Sequence, residues 1–116
     1  MEKKSALDFI IDALQYIVSI QNGNDKDKKY AALASSVNSD RNTKVYAVIK
    51  QEIKDLMKLS NEYFDIRHKD YLNDDKEKRE PLNDSQFIEY LYNRAYALLY
   101  LLRLKAKVND DIGDSR

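Results

Sequence analysis

The chain has 116 residues and no cysteine, and its 20 basic side chains are balanced by 20 acidic ones. This length suits one domain. The lack of cysteine excludes disulfides and thiolate metal sites. Because the net charge is zero, the chain as a whole has no electrostatic field that attracts nucleic acid. Only two glycines and one proline occur. Because glycine and proline are common in the turns that end strands and connect hairpins, their scarcity predicts an all-α domain.

The first third of the chain predicts two helices with apolar faces. Helix one is expected from about Ser5 to Asn22, with Ser5 as its cap, and helix two from about Asp25 to Val37. The apolar positions at helical spacing in these segments are Leu7, Ile10, Ile11, Leu14, Ile17, Val18, Tyr30, Leu33, Ala34 and Val37.

Helix three is expected from about Thr43 to about Tyr71. Its apolar face is predicted to hold Val45, Ile49, Ile53, Leu56 and Tyr63.

Three lysines form a ladder on another face of helix three. Lys50, Lys54 and Lys58 recur at i, i+4 spacing. Two interpretations stay open: a solvated face whose lysines pair with Glu52 and Asp55, or a stripe that follows the phosphates of an RNA.

Helix four has the clearest capping signal in the chain. After a charged loop from Asn73 to Glu80, Asn83 is the expected cap, and Leu82 and Phe87 are expected to form a hydrophobic staple. The helix is expected to end near Lys107. This division gives a single helical-bundle domain over residues 1–108 and a polar tail over residues 109–116.

Helix four is apolar on more than one face. One apolar stripe consists of Phe87, Leu91, Leu98 and Leu102, and it is widened by Ile88, Ala95, Leu99 and Leu101. Tyr92, Tyr96 and Tyr100 form a second ladder at i, i+4 spacing. A helix of this kind is either central in its bundle or shared with a second subunit. We therefore expect a homodimer whose interface includes Tyr92, Tyr96, Leu99 and Tyr100. Stacking of these rings on nucleic-acid bases is the alternative use.

The sequence offers little catalytic chemistry. The only histidine, His68, lies one helical turn from Asp65, and a metal site there lacks a second histidine. No glycine-rich phosphate loop and no nucleophile motif are present. We expect no cofactor and no metal.

The segment Ile66–Asn73 (IRHKDYLN), at the end of a long helix, is followed by a short polar loop and a capped, apolar last helix. This pattern, over about residues 43–107, resembles the HEPN domain family. The resemblance implies a small up-and-down bundle of about four helices that dimerises with the motif near the interface. In active members an arginine binds the scissile phosphate, and a histidine assists attack by the RNA 2′-hydroxyl without a metal.

Only part of that motif is present in this chain. Arg67 matches the family's arginine, while Asn73 stands at the histidine position and cannot exchange a proton near neutral pH. His68 follows Arg67 directly and points about 100° away from it on a helix. The plain alternative for Arg67 is an ion pair with Asp70, Glu62 or an acidic residue of the loop that follows.

The resemblance implies a HEPN-like binding or regulatory module, RNA- or nucleotide-binding, in a prokaryotic defence or toxin–antitoxin setting. Its RNA-binding candidates are Lys50, Lys54, Lys58 and Arg67. Two alternatives stay open. One is a metal-independent HEPN endoribonuclease with Arg67, His68 and Asn73 as catalytic candidates. The other is a protein-binding helical adaptor or oligomerisation module.

The apolar stretches are too short and too interrupted for a membrane segment. No apolar run has the length needed to span a bilayer, and Asp8 and Asp12 interrupt the first of them. We therefore expect a cytoplasmic protein without a membrane partner.

Overall fold

Four helices account for most of the chain that the structure describes. The computed structural model describes residues 3–63 and 81–114, with side chains described for residues 4–63 and 81–106. Within these ranges there is no strand, and the prediction of an all-α fold with four helices is confirmed. The helices are α1 (Lys3–Ser19), α2 (Lys26–Val37), α3 (Lys44–Glu62) and α4 (Ser85–Asp114).

The predicted apolar faces of α1, α2 and α4 form one core. Leu14 is 1% exposed, and Ala34 and Ala95 are 0% exposed. The small side chains of Ala34 and Ala95 let the helix backbones approach closely. The most extensive helix–helix contacts join α1 to α4 and α2 to α3.

The apolar face of α3 begins one residue later than predicted. Val45 is exposed, while Tyr46 is buried together with Ile53 and Leu56. Neighbouring residues on a helix point about 100° apart, so burial of Tyr46 turns Val45 toward solvent.

The turn between α1 and α2 depends on a glycine and a lysine. Gly23 has a φ of +134°, and a Cβ at that position would lie 2.7 Å from the Cβ of Lys28. Lys29 Nζ donates to the carbonyl oxygens of Ser19 at 2.8 Å and Gln21 at 3.0 Å. The side chain therefore satisfies carbonyls that the end of α1 leaves without a helical partner.

Three helix boundaries differ from the sequence-based predictions. Helix α1 begins at Lys3, so Ser5 lies inside it and is not its cap. Helix α3 ends at Glu62, because Tyr63 adopts an extended conformation, and the predicted end near Tyr71 lies outside the described residues. Helix α4 continues to Asp114, so residues 109–114 of the expected tail are helical.

Asp84, and not Asn83, caps α4. Its Oδ1 accepts hydrogen bonds from the backbone N–H groups of Gln86 at 3.0 Å and Phe87 at 3.1 Å. Asn83 is exposed, and Leu82 just before it is buried. The prediction of the cap was wrong by one residue because asparagine and aspartate cap equally well, so sequence preference alone does not separate them.

We expect Asp84→Ala to lower the free energy of unfolding by about 0.5–2 kcal/mol, because two N–H groups at the start of α4 lose their acceptor. Urea unfolding followed by circular dichroism measures the change. Asn83→Ala is the matched control and should change stability by less than about 0.5 kcal/mol. A larger loss in the control than in Asp84→Ala would show that the cap is misplaced.

Candidate interaction surface

The predicted catalytic residues cannot be placed from the structure. Arg67, His68 and Asn73 lie outside the described residues, so their roles stay predictions. Within residues 3–63 and 81–114, no group of three or more His, Cys, Asp or Glu side chains could hold a metal ion. In the same ranges no helix combines the length and the apolar character needed to cross a membrane.

The lysine ladder of α3 divides into two parts. Lys50 Nζ lies 3.2 Å from a carboxylate oxygen of Asp27, so it joins α3 to the start of α2. Lys54 and Lys58 are exposed.

The expected partners of the ladder have other contacts. Arg94 binds Glu52. Gln51 Nε2 donates to Asp55 at 2.8 Å. Glu52 and Asp55 therefore have contacts in addition to those that the solvated-face interpretation gives them, and the choice between the two interpretations stays a prediction. The spacing within α3 does not indicate that an arginine on α4 binds Glu52.

The tyrosine stripe, defined as Tyr92, Tyr96 and Tyr100, is an ordered aromatic surface on α4. The ring centroids of Tyr92 and Tyr96 are 6.0 Å apart, and those of Tyr96 and Tyr100 are 6.4 Å apart. The planes of the two pairs differ by 22° and 12°. These distances fall in the range of offset-stacked aromatic pairs.

Two of the three tyrosines in the stripe are about half exposed to solvent. Tyr96 is 51% exposed and Tyr100 is 54% exposed. Tyr92 and Leu99 are only partly exposed and pack against the core. Of the four predicted interface residues, Tyr96 and Tyr100 therefore offer the most free apolar area.

The sequence produces the stripe by simple helical spacing. Residues four apart lie above one another on a helix, so the three rings form a row beside the buried row of Leu91, Ala95, Leu98 and Leu102. Leu104, which is 44% exposed, continues the row. One face of α4 is therefore committed to the core while a second apolar face stays outside it.

A groove of about 520 Å³ lies between α3 and α4, and the α4 residues that line it are not those of the tyrosine stripe. Val48, Ile49, Ala97, Leu98 and Leu101 supply its apolar walls. Ligand pockets typically have volumes of about 300–1,000 Å³, and this groove falls within that range.

An ion pair closes one end of this groove. Arg94 Nε lies 3.0 Å and 3.1 Å from the two carboxylate oxygens of Glu52, and its Nη2 lies 4.0 Å from Asp55. The hydrogen bond to Glu52 raises the pKa of Arg94 above its ordinary value. The guanidinium therefore holds Glu52 in a structural contact between α3 and α4, and this carboxylate is not placed to act as a general base.

The Arg94–Glu52 contact should be measurable by a double-mutant cycle. We expect Glu52→Ala and Arg94→Ala to show a coupling energy of about 1 kcal/mol in urea unfolding, because the pair is partly buried and the guanidinium contacts both oxygens. The cycle of Asp55→Ala with Arg94→Ala is the control and should give a smaller coupling. Equal couplings in both cycles would contradict the assignment of Glu52 as the main partner.

The raised pKa of Arg94 sets the alkaline limit of this contact. While the carboxylate is ionised, the contribution of the guanidinium charge is present below the unfolded-state pKa and is lost as the pH rises through the raised folded-state pKa. The arginine therefore stays charged throughout the neutral range.

A second set of exposed apolar residues was missed at the level of sequence. Phe9, Tyr16 and Ile20 on and just after α1 are 72%, 56% and 60% exposed. Their spacing of i, i+7 and i+11 places them on one side of a helix, opposite its core face. That spacing was the available signal, and the strong core pattern of the same helix obscured it.

No protein-family model matches the chain, and no curated protein sequence or solved structure matches it. The HEPN resemblance therefore depends on the sequence motif alone.

Proposed function

We propose that this chain is a homodimeric helical binding module in which the tyrosine stripe of α4 forms the interface between two copies. The observation that supports it is the pre-stacked pair of Tyr96 and Tyr100, each about half exposed. Isolated apolar residues on a surface are ordinary, whereas an ordered aromatic row is typical of a contact surface.

The energetics favour burial of this row. Aromatic side chains bury about 150–250 Å² each, and tyrosine is enriched among the residues that dominate binding energy. Rings that are already stacked lose little side-chain freedom on association, so less of the burial energy is offset by entropy. The zero net charge of the chain adds no long-range repulsion between copies.

The interface needs more area than the tyrosine stripe alone provides. The exposed Leu104, one turn beyond Tyr100, extends the apolar surface of α4. A stable interface needs about 1,200–2,000 Å² of total buried area, more than one short row of rings supplies.

The HEPN-like, up-and-down arrangement belongs to the same proposal. It is supported by the opposite directions of α3 and α4, since Tyr63 lies beside Phe87 and Glu52 lies beside Arg94. The defence or toxin–antitoxin setting follows only from the resemblance of the Arg67 segment to that family.

We expect the wild-type protein to sediment as a dimer at micromolar concentration. The double variant Tyr96→Ser/Tyr100→Ser should raise the dimer dissociation constant by at least about tenfold, because the most exposed aromatic area is removed. Sedimentation velocity over a dilution series measures the change.

Tyr90→Ser is the matched control. Tyr90 lies on the same helix and is 53% exposed, but it stacks on Phe87 and lies outside the stripe. A monomeric wild-type protein would contradict the homodimer and would favour the adaptor alternative, in which a foreign protein covers the stripe or the α3–α4 groove.

RNA binding is a second candidate function, favoured by the exposure of Lys54 and Lys58 on α3. If the lysines contact phosphates, replacing both with alanine should reduce the salt slope of RNA affinity by about 0.7 per lysine for a single strand. Arg41→Ala, which removes an exposed arginine between α2 and α3, is the control.

Absence of RNA binding at low salt would contradict this candidate. Metal-independent RNA cleavage that is lost in Arg67→Ala would instead support the endoribonuclease alternative.

A further inference from the structure

Two opposite charges flank the tyrosine stripe at equal distances. Glu89 and Arg103 are exposed and lie seven residues before and seven residues after Tyr96. Seven residues is close to two helical turns, so the three side chains share one face of α4. With a rise of about 1.5 Å per residue, each charge lies about 10 Å along the axis from Tyr96.

This arrangement is self-complementary under a two-fold rotation. An axis that crosses α4 at Tyr96 brings Tyr96 of one copy against Tyr96 of the other and Tyr92 against Tyr100. The same rotation places Glu89 of each copy opposite Arg103 of the other. In a closed two-fold dimer the same patch serves on both subunits, so each opposite-charge contact is made twice.

We propose that two copies of this chain pair through α4 in an antiparallel arrangement centred on Tyr96, with Glu89 of each copy contacting Arg103 of the other. This inference rests on the proposed homodimer and adds the direction and register of its helices. The exposed rings of Tyr96 and Tyr100 lie at the centre of the contact, and the charges lie at its rim.

The charges disfavour two other arrangements of the same stripe. A parallel pair of α4 helices places Glu89 against Glu89 and Arg103 against Arg103, which repel. An antiparallel pair centred between Tyr92 and Tyr96 places Glu89 opposite Leu99 and Arg103 opposite Ser85, so neither side chain faces an opposite charge on the other copy. Of these three arrangements, only the one centred on Tyr96 joins opposite charges at both ends.

The pairing does not require Glu89 to lack contacts within its own chain. A carboxylate has two oxygens and accepts hydrogen bonds from several donors at once. The planar guanidinium of Arg103 can approach either oxygen. Exposed ion pairs contribute little energy individually, so these contacts select the register while the tyrosines supply most of the affinity.

Charge reversal tests the register directly. We expect Glu89→Arg and Arg103→Glu each to raise the dimer dissociation constant by about five- to tenfold at low salt, because each creates two like-charge contacts. An equimolar mixture of the two single variants should form a heterodimer with nearly wild-type affinity, since every contact is again between opposite charges. Sedimentation velocity at low and high salt measures both effects, which should shrink as salt screens the charges.

Lys44→Glu, a reversal of an exposed charge at the start of α3, is the control and should leave the dissociation constant unchanged. Circular dichroism of each variant shows whether its helices remain intact.

The outcomes separate this inference from the proposed function. A wild-type dimer that depends on Tyr96 and Tyr100, but whose single variants do not recover on mixing, would overturn the register and leave the homodimer in place. A wild-type protein that stays monomeric would overturn both.

Discussion

The packing of α1 along α4 is the contact on which the rest of the structure depends. Helix α4 has 30 residues and α1 has 17, so their lengths are about 45 Å and about 25 Å. Ala95, at 0% exposure, allows close approach in the middle of α4. Because α4 is much longer than the helices that pack on it, part of its surface has no helical cover within the described residues.

Polar contacts join α3 to each of the other three helices. Arg94 joins α4 to Glu52 on α3, and Lys50 joins α3 to Asp27 on α2. Gln15 on α1 donates to the buried Ser60 hydroxyl on α3 at 3.3 Å. These contacts orient helices that already share an apolar core, and the ion pairs among them leave the tyrosine stripe untouched and facing outward.

The core was predictable from sequence because burial repeats with the helical period. The predicted faces of α1 and α4 are confirmed at Leu7, Leu14, Leu91 and Leu98. Helix ends were less predictable, since caps such as Asn83 and Asp84 differ by one residue and have equal intrinsic preference. No glycine or proline lies next to the end of α3 at Glu62, so the local sequence contains no helix stop signal there.

The candidate site was predictable only in part. The i, i+4 spacing located the tyrosines, and the apolar breadth of α4 indicated an outward-facing row. The role of Arg94 was not predictable, because it depends on which helix packs beside α4 and not on local sequence. The same reason explains why Glu52 was assigned to the lysines of its own helix: local spacing was visible and the tertiary neighbour was not.

Disulfide trapping of single-cysteine variants tests the central claim most directly, since the natural chain has no cysteine. The account predicts that Tyr96→Cys forms a cross-linked dimer on mild oxidation. It predicts that Glu89→Cys does not, because two copies of residue 89 lie roughly 21 Å apart along the axis, against a Cα separation of at most about 7 Å in a disulfide. Efficient cross-linking through Glu89→Cys, with none through Tyr96→Cys, would contradict the antiparallel pairing of the tyrosine stripe.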